Sequence, residues 1–242
     1  MRFRPRLLEP LRVLVLVALA VGSATITNAS LAYFGEDLAP FVIEKLPLPL
    51  EDLWMHALQI HVIAAAFCLP ACLLLSLAFV LRRAPRFHRW LGRTTGIVTL
   101  FALVPSGMYM ACFAKGGVAS TVGFMLSGVI VAVAMIQGVR AARARRFVEH
   151  RRYVLHVLAQ MSVAVTSRAM LFAFDAAAVD EQLAYLVALW VPVIASFALV
   201  ELLSIRTRTR TLSIWTTWRT HEAPVDPRRR PVLAYDLRRA RG

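Results

Sequence analysis

Apolar residues fall along this chain in six long runs, separated by short stretches rich in charge, proline or glycine. The runs cover about residues 11–34, 53–81, 94–114, 118–139, 153–173 and 183–205. At ~1.5 Å of rise per residue, each is long enough as a helix to cross ~30 Å of hydrocarbon. Within a run the apolar positions are continuous rather than alternating, which predicts helices and excludes a β-barrel. The predicted fold is an all-α integral membrane bundle of six helices. Pro105-Ser106-Gly107 predicts a kink or loosening of the third helix, and Lys115-Gly116-Gly117 a tight turn after it. Prolines at 40, 47 and 49 argue against a continuous helix in the first connection.

Charge then orients the runs. Of the 28 Lys and Arg, all but Lys45, Lys115 and Arg168 fall in four clusters, at 2–12, 82–93, 140–152 and 206–241. In a six-span chain these clusters share one side, while the acidic loops at 35–52 and 175–181 share the other. Basic loops stay inside, so both termini are predicted to be cytoplasmic. The Ala- and Arg-rich composition suggests a bacterial source, and hence the inner membrane. A basic start with small residues after the first apolar core also describes a signal peptide. Apolar character resumes through Leu31, Ala32, Tyr33 and Phe34, which favours a retained span. The organisation read from this pattern is a first helix with an acidic outer loop (1–52), a membrane bundle (53–205) and a basic, flexible cytoplasmic tail (206–242).

A hydrophobic content of 59% and a mean hydropathy of +0.63 fit no soluble domain of this length. The net charge of +14 would suggest nucleic acid if it were spread over a soluble surface. It flanks apolar runs instead, and no recognition motif or aromatic-basic platform accompanies it, so nucleic acid is not a predicted partner. The predicted partners are the bilayer and anionic lipids at the inner loops and tail. In the tail, Leu212, Ile214, Trp215 and Trp218 stand among basic residues, a pattern suited to an interfacial helix. Cys68, Cys72 and Cys112 all lie in apolar runs, so they read as packing residues rather than a disulfide framework, and no metal site is predicted. No Ser-His-Asp order, HExxH or phosphate loop is present.

The fifth run carries the most unusual chemistry. From Glu149 to Arg168 it reads EHRRYVLHVLAQMSVAVTSR. His150 and Arg168 are five whole turns apart on one face, ~27 Å along the axis. His156, Gln160 and Ser167 form a second polar stripe. Ionisable groups inside a membrane are costly and mark functional positions by default.

The connecting segments on the basic side also bear a resemblance. Residues 86–93 read RFHRWLGR, 105–107 read PSG, 114–124 read AKGGVASTVGF and 149–156 read EHRRYVLH, with Arg168 beyond. In this order they resemble the predicted membrane proteins of the domain of unknown function 2306 family. That pattern has a histidine in one span, an HR-x-x-GR loop, a GG turn, then EHRRWM and a distant arginine. The resemblance covers about residues 53–173. It implies key positions at His61, His88, Arg89, Gly92, Arg93, Gly116, Gly117, His150, Arg151 and Arg168. Tyr153 and Val154 stand where the family tends to have Trp-Met, and His156 where an arginine is usual, so no role needing a fixed positive charge at 156 is implied. The family name carries no activity.

Three functions are compatible with these residues. His61 in the second span and Arg168 in the fifth lie at comparable depth near the outer side. They would hold a small anionic or quinone-like ligand, with His88, Arg89, His150 and Arg151 as further ligand-binding positions on the inner side. The plain alternative is that Arg168 reaches the interface and His61 bonds a backbone carbonyl. In the second reading His88, His150 and His156 supply axial ligands to a b-type haem in an electron carrier. In the third the basic loops and tail serve as an assembly scaffold. Neither an enzyme activity nor a catalytic residue is assigned.

Overall fold

The computed structural model describes residues 8–35 and 40–220. Helix α1 (Leu8–Ala29) ends in a 3-10 turn, Ser30–Phe34, and a short α2 (Pro40–Lys45) follows. Pro40 stands at the first position of α2, where a missing N–H costs nothing. Then come α3 (Glu51–Ser76), α4 (Ala78–Arg83), α5 (Pro85–Val98), a π-helical turn (Thr99–Leu103), α6 (Val104–Ala111), α7 (Gly117–Arg143), α8 (Phe147–Ala176) and α9 (Glu181–Thr220). No strand occurs among the described residues. Six stretches are long and apolar enough to span: Pro10–Phe34, Glu51–Ser76, Pro85–Ala111, Gly117–Arg143, Phe147–Ala176 and Glu181–Ile205.

Several boundaries differ from the sequence reading, among them the start of the fifth span at Phe147 rather than 153. The second span stops at Ser76 rather than 81, because Leu77 is extended (φ −77°, ψ 116°) and a separate α4 carries Arg82 and Arg83. The freed carbonyl of Ser76 accepts a hydrogen bond from Arg12 Nη2 of α1 at 3.3 Å, a cation at a helix C-terminus. The third span begins at Pro85, so RFHRWLGR is not a loop but the first turns of α5. Proline at the first helical position favours that start. Phe87 and Trp90 stack at 6.5 Å on the helix surface, as interfacial aromatics do.

The third span also widens where expected. Pro105 has no N–H to donate and its ring crowds the carbonyl four residues back. The chain answers with the π turn, closed by Val104 N–H to the Thr99 carbonyl.

The core lies between α3, the third span, α7 and α8, and includes Cys68, Leu73, Leu103, Val131, Val157 and Met161. Outward faces are apolar: Leu14 is 64% exposed, Phe101 79% and Phe172 78%. In water such a surface would associate; against lipid it is solvated. Small residues bring helices close. A Cβ on Gly123 would stand 2.8 Å from Leu189 of α9, and one on Gly22 would overlap Val165 of α8.

Contacts divide the chain after Glu201. The second unit, Leu202–Gly242, is described as helix through Thr220. The predicted flexible tail beyond Thr220, the side chains of the interfacial tail segment, and Glu36 and Asp37 of the acidic loop lie outside the described residues.

At the acidic end, the Gly116-Gly117 turn places both residues at positive φ (86° and 69°), which glycine adopts without strain. The turn presents Lys115 between Glu44 of α2 and Glu181 of α9, the latter at 2.7 Å. Lys45 Nζ donates to the Phe113 carbonyl at 2.6 Å. This clasp ties α2, the turn and the start of α9 together. The Lys115 ammonium holds the Glu44 carboxyl below its ordinary value of 4.5. Stabilisation from a lowered carboxylate is present above that value and is lost as pH falls through the lower folded one. The melting-point difference between wild type and Lys115→Ala in detergent should be widest at neutral pH, shrink in high salt, and close in acid. An unchanged gap at low pH would show that the clasp contributes no pH-dependent stability.

Candidate functional site

The polar stripe on α8 is turned towards α9. Gln160, buried at 3% exposure, accepts from Ser127 Oγ of α7 at 2.9 Å. Its amide donates to the Val193 carbonyl and to Ser196 Oγ of α9, both at 3.0 Å. One turn towards the basic end, His156 Nε2 meets Glu201 Oε1 at 2.8 Å. One turn further, Arg152 Nη2 meets Glu201 Oε2 at 2.5 Å. Arg152, His156 and Gln160 are spaced four residues apart, so a single helical face carries all three. The ring of Phe197 covers His156 at 4.9 Å. The interior seam between α8 and α9 is therefore charged at its basic end and neutral but polar at mid-depth.

His61 of α3 and Arg168 of α8 lie within electrostatic reach of each other but share no hydrogen bond. The Nδ1–H of His61 donates to the Leu103 carbonyl at 3.1 Å, at the end of the π turn, with Ser106 Oγ at 3.3 Å. Ser106 Oγ in turn donates to the Ala102 carbonyl at 2.5 Å. Gly107 lets the imidazole lie against the helix, since a Cβ there would stand 2.8 Å from Cε1. The PSG motif is the seat of this ring, and Nε2 keeps its lone pair.

Arg168 is exposed and donates to the Ala164 carbonyl of its own helix at 3.0 Å. It lines a crevice of about 350 Å³ between α1 and α8, with Thr25, Ser30 and Tyr33 as polar walls and Gly22 and Val165 as floor. The polar second half of α1 is thus placed opposite the arginine.

At the basic end, His150 donates Nδ1–H to the Gly138 carbonyl of α7 at 2.9 Å. His88 lies within electrostatic reach of it, with a buried, unpartnered Nδ1. Arg89 and Arg151 are exposed beside them on the same helices. The structure brings His88 and His150 together. It does not bring His156 to either, because that ring is committed to α9. Cys72 Sγ lies 3.7 Å from Met161 Sδ and Cys68 Sγ 3.4 Å from Thr99 Oγ1, contacts of close packing in the core. No group of three or more metal-ligating His, Cys, Asp or Glu occurs among the described residues.

A family described as "Predicted membrane protein (DUF2306)" matches residues 58–204. The chain belongs to this family. The match takes in nearly all of the sixth span as well as residues 58–173, which carry the motifs, so the DUF2306 unit includes both sides of the α8–α9 seam. No curated protein and no solved structure matches the chain.

Sequence reasoning missed Glu201 and Ser127. A signal existed for the first, since Glu201 is the single acidic residue of the sixth apolar run after its entry. Ser127 stands alone in an apolar stretch with nothing to mark it. Gln160 crosslinks three helices, so Gln160→Leu should destabilise the bundle by about 1–2 kcal/mol, the scale of polar contacts between membrane helices. A double-mutant cycle with Ser127→Ala, followed by unfolding in mixed micelles, should return a coupling of about 0.6 kcal/mol. Strict additivity would mean the bond contributes nothing.

Proposed function

We propose that this DUF2306 membrane protein binds an anionic amphiphile whose head group is held by Arg168 in the α1–α8 crevice. The observation that carries the reading is the direction of the guanidinium. Arg168 stands eight residues before the end of α8 at Ala176, ~12 Å down the axis. Its side chain turns back to Ala164 rather than towards that end, so its charge sits deeper still. Among the described residues it has no carboxylate partner. An unneutralised arginine near the middle of a helix in lipid costs ~2.5–3.5 kcal/mol on insertion scales. A carboxylate or phosphate ligand removes that cost, and the planar fork can bind either bidentately. Ser30 offers a hydroxyl to the same head group, while Gly22, Ile26 and Val165 suit an alkyl chain; the Thr25 hydroxyl is donated to the Val21 carbonyl of its own helix.

The charge pattern supports an orientation with the basic end in the cytoplasm, which puts the crevice in the outer half of the inner membrane. His61, within electrostatic reach of Arg168, keeps a hydrogen-bond acceptor at Nε2. Exposed Arg89 and Arg151, beside His88 and His150, suit anionic lipid head groups at the opposite face.

The test uses full-length protein in phosphatidylcholine nanodiscs with spin-labelled stearate at neutral pH. The motionally restricted fraction should exceed that of spin-labelled phosphatidylcholine, fall to that level in Arg168→Gln, and stay high in Arg89→Gln. Unlabelled oleate should displace it from wild type, which keeps the test valid should the variant fold poorly. Equal restriction of both labels in wild type would overturn the reading.

A further inference from the structure

The α8–α9 seam contains a base that nothing in the protein uses. A carboxylate paired with Arg152 is ionised and only accepts hydrogen bonds, so the His156–Glu201 contact must be Nε2–H donating to Oε1. That fixes the tautomer and leaves the lone pair on Nδ1. Nδ1 is fully enclosed and has no hydrogen-bond partner, in a residue only 4% exposed. Burying an acceptor without a donor is destabilising, because the bond it made to water in the unfolded chain is not replaced. The cost is not relieved by Gln160 on the next turn, whose amide is spent on α9.

We propose that His156 is a proton-binding site inside the membrane, oriented by Glu201 and loaded from the basic end. The charges permit it. Arg152 and Glu201 cancel, so the resting cluster with neutral His156 carries no net charge. A proton taken from water adds to Nδ1 and gives an imidazolium that keeps its Nε2–H bond to the Glu201 anion. No other bond changes. Among the described residues, the charged groups that bear on Glu201 are Arg152 and His156; Arg152 itself has Tyr153 and Glu149 within reach. His150 is turned to α7 and His88 lies beside it. The Glu201 side chain is 27% exposed against 5% for that of His156, so the pair opens to the outside at the carboxylate, and the enclosed Nδ1 exchanges its proton only as the seam opens there. Glu201 is a positioning residue in this scheme, because it sets which nitrogen is free and stabilises the charge that forms there. The site stands independently of the Arg168 crevice.

The experiment is nitrogen NMR of histidine-labelled full-length protein in nanodiscs, with signals assigned by single substitutions. Chemical shifts of the two ring nitrogens distinguish the imidazolium from each neutral tautomer. Wild-type His156 should be the Nε2–H tautomer at high pH and convert to imidazolium as the sample is acidified. In Glu201→Gln the tautomer preference should be lost and the imidazolium signal weakened at the same pH, with Glu201→Asp restoring both. A wild-type His156 that is neutral throughout, or that holds its hydrogen on Nδ1, overturns the proposal without recourse to any variant. So does a Glu201→Gln spectrum identical to wild type.

Discussion

Hydrocarbon offers a polar group no partner, and this one constraint arranges most of the bundle. Each polar side chain inside it must find another part of the protein, and in doing so ties two or three helices at a fixed register. Gln160 joins α7, α8 and α9; His61 joins α3 to the widened third span; His150 joins α8 to α7. The apolar core gives density but little direction, since lipid tails solvate leucine as well as another leucine does. Direction comes from the few polar bonds, backed by glycines where helices approach closely.

The Nδ1 of His88 and the hydroxyls of Tyr109 and Ser120 depart from that rule elsewhere in the bundle, and on α8 two groups do so, Arg168 and the Nδ1 of His156. They lie on one helix, one facing a crevice beside α1 and the other enclosed against α9. α8 is thus the element whose two polar faces serve different purposes, and the spans around it complete both.

The six spans were legible because their signal is simple: apolar length, then charge. The π turn was legible through Pro105, and the acidic clasp only in part, since Lys115 was visible as a turn residue but not as a bridge. Span ends were less so. RFHRWLGR reads as a loop when arginine is taken as a mark of water, yet arginine stems lie comfortably along a helix at the interface. In the site, the spacing of His156 and Gln160 declared a shared face, but periodicity cannot say which neighbour the face meets. Glu201 therefore escaped notice, as did the separation of His156 from His88 and His150. Helical rise read His61 and Arg168 as neighbours in depth, and they lie within electrostatic reach of each other, whereas rise alone cannot reveal that each side chain bends to a different partner.

The π turn also has a consequence for how this fold tolerates change in chain length. A wide turn accommodates one residue more than a regular helix of the same rise, so everything after Leu103 is rotated by about 100° relative to an uninterrupted α-helix. Ser106 and Gly107 face His61 only because of that rotation. Removing one residue between Thr99 and Leu103 would let the span close as a regular α-helix while the residues after it keep their angle and rise, so Ser106 and Gly107 would still face His61. A change that made the full-length span run as an unbroken α-helix would instead swing its outer half by that angle and set another residue against the imidazole in place of glycine. The third span is consequently a place where a single-codon deletion does less harm than a substitution that abolishes the wide turn.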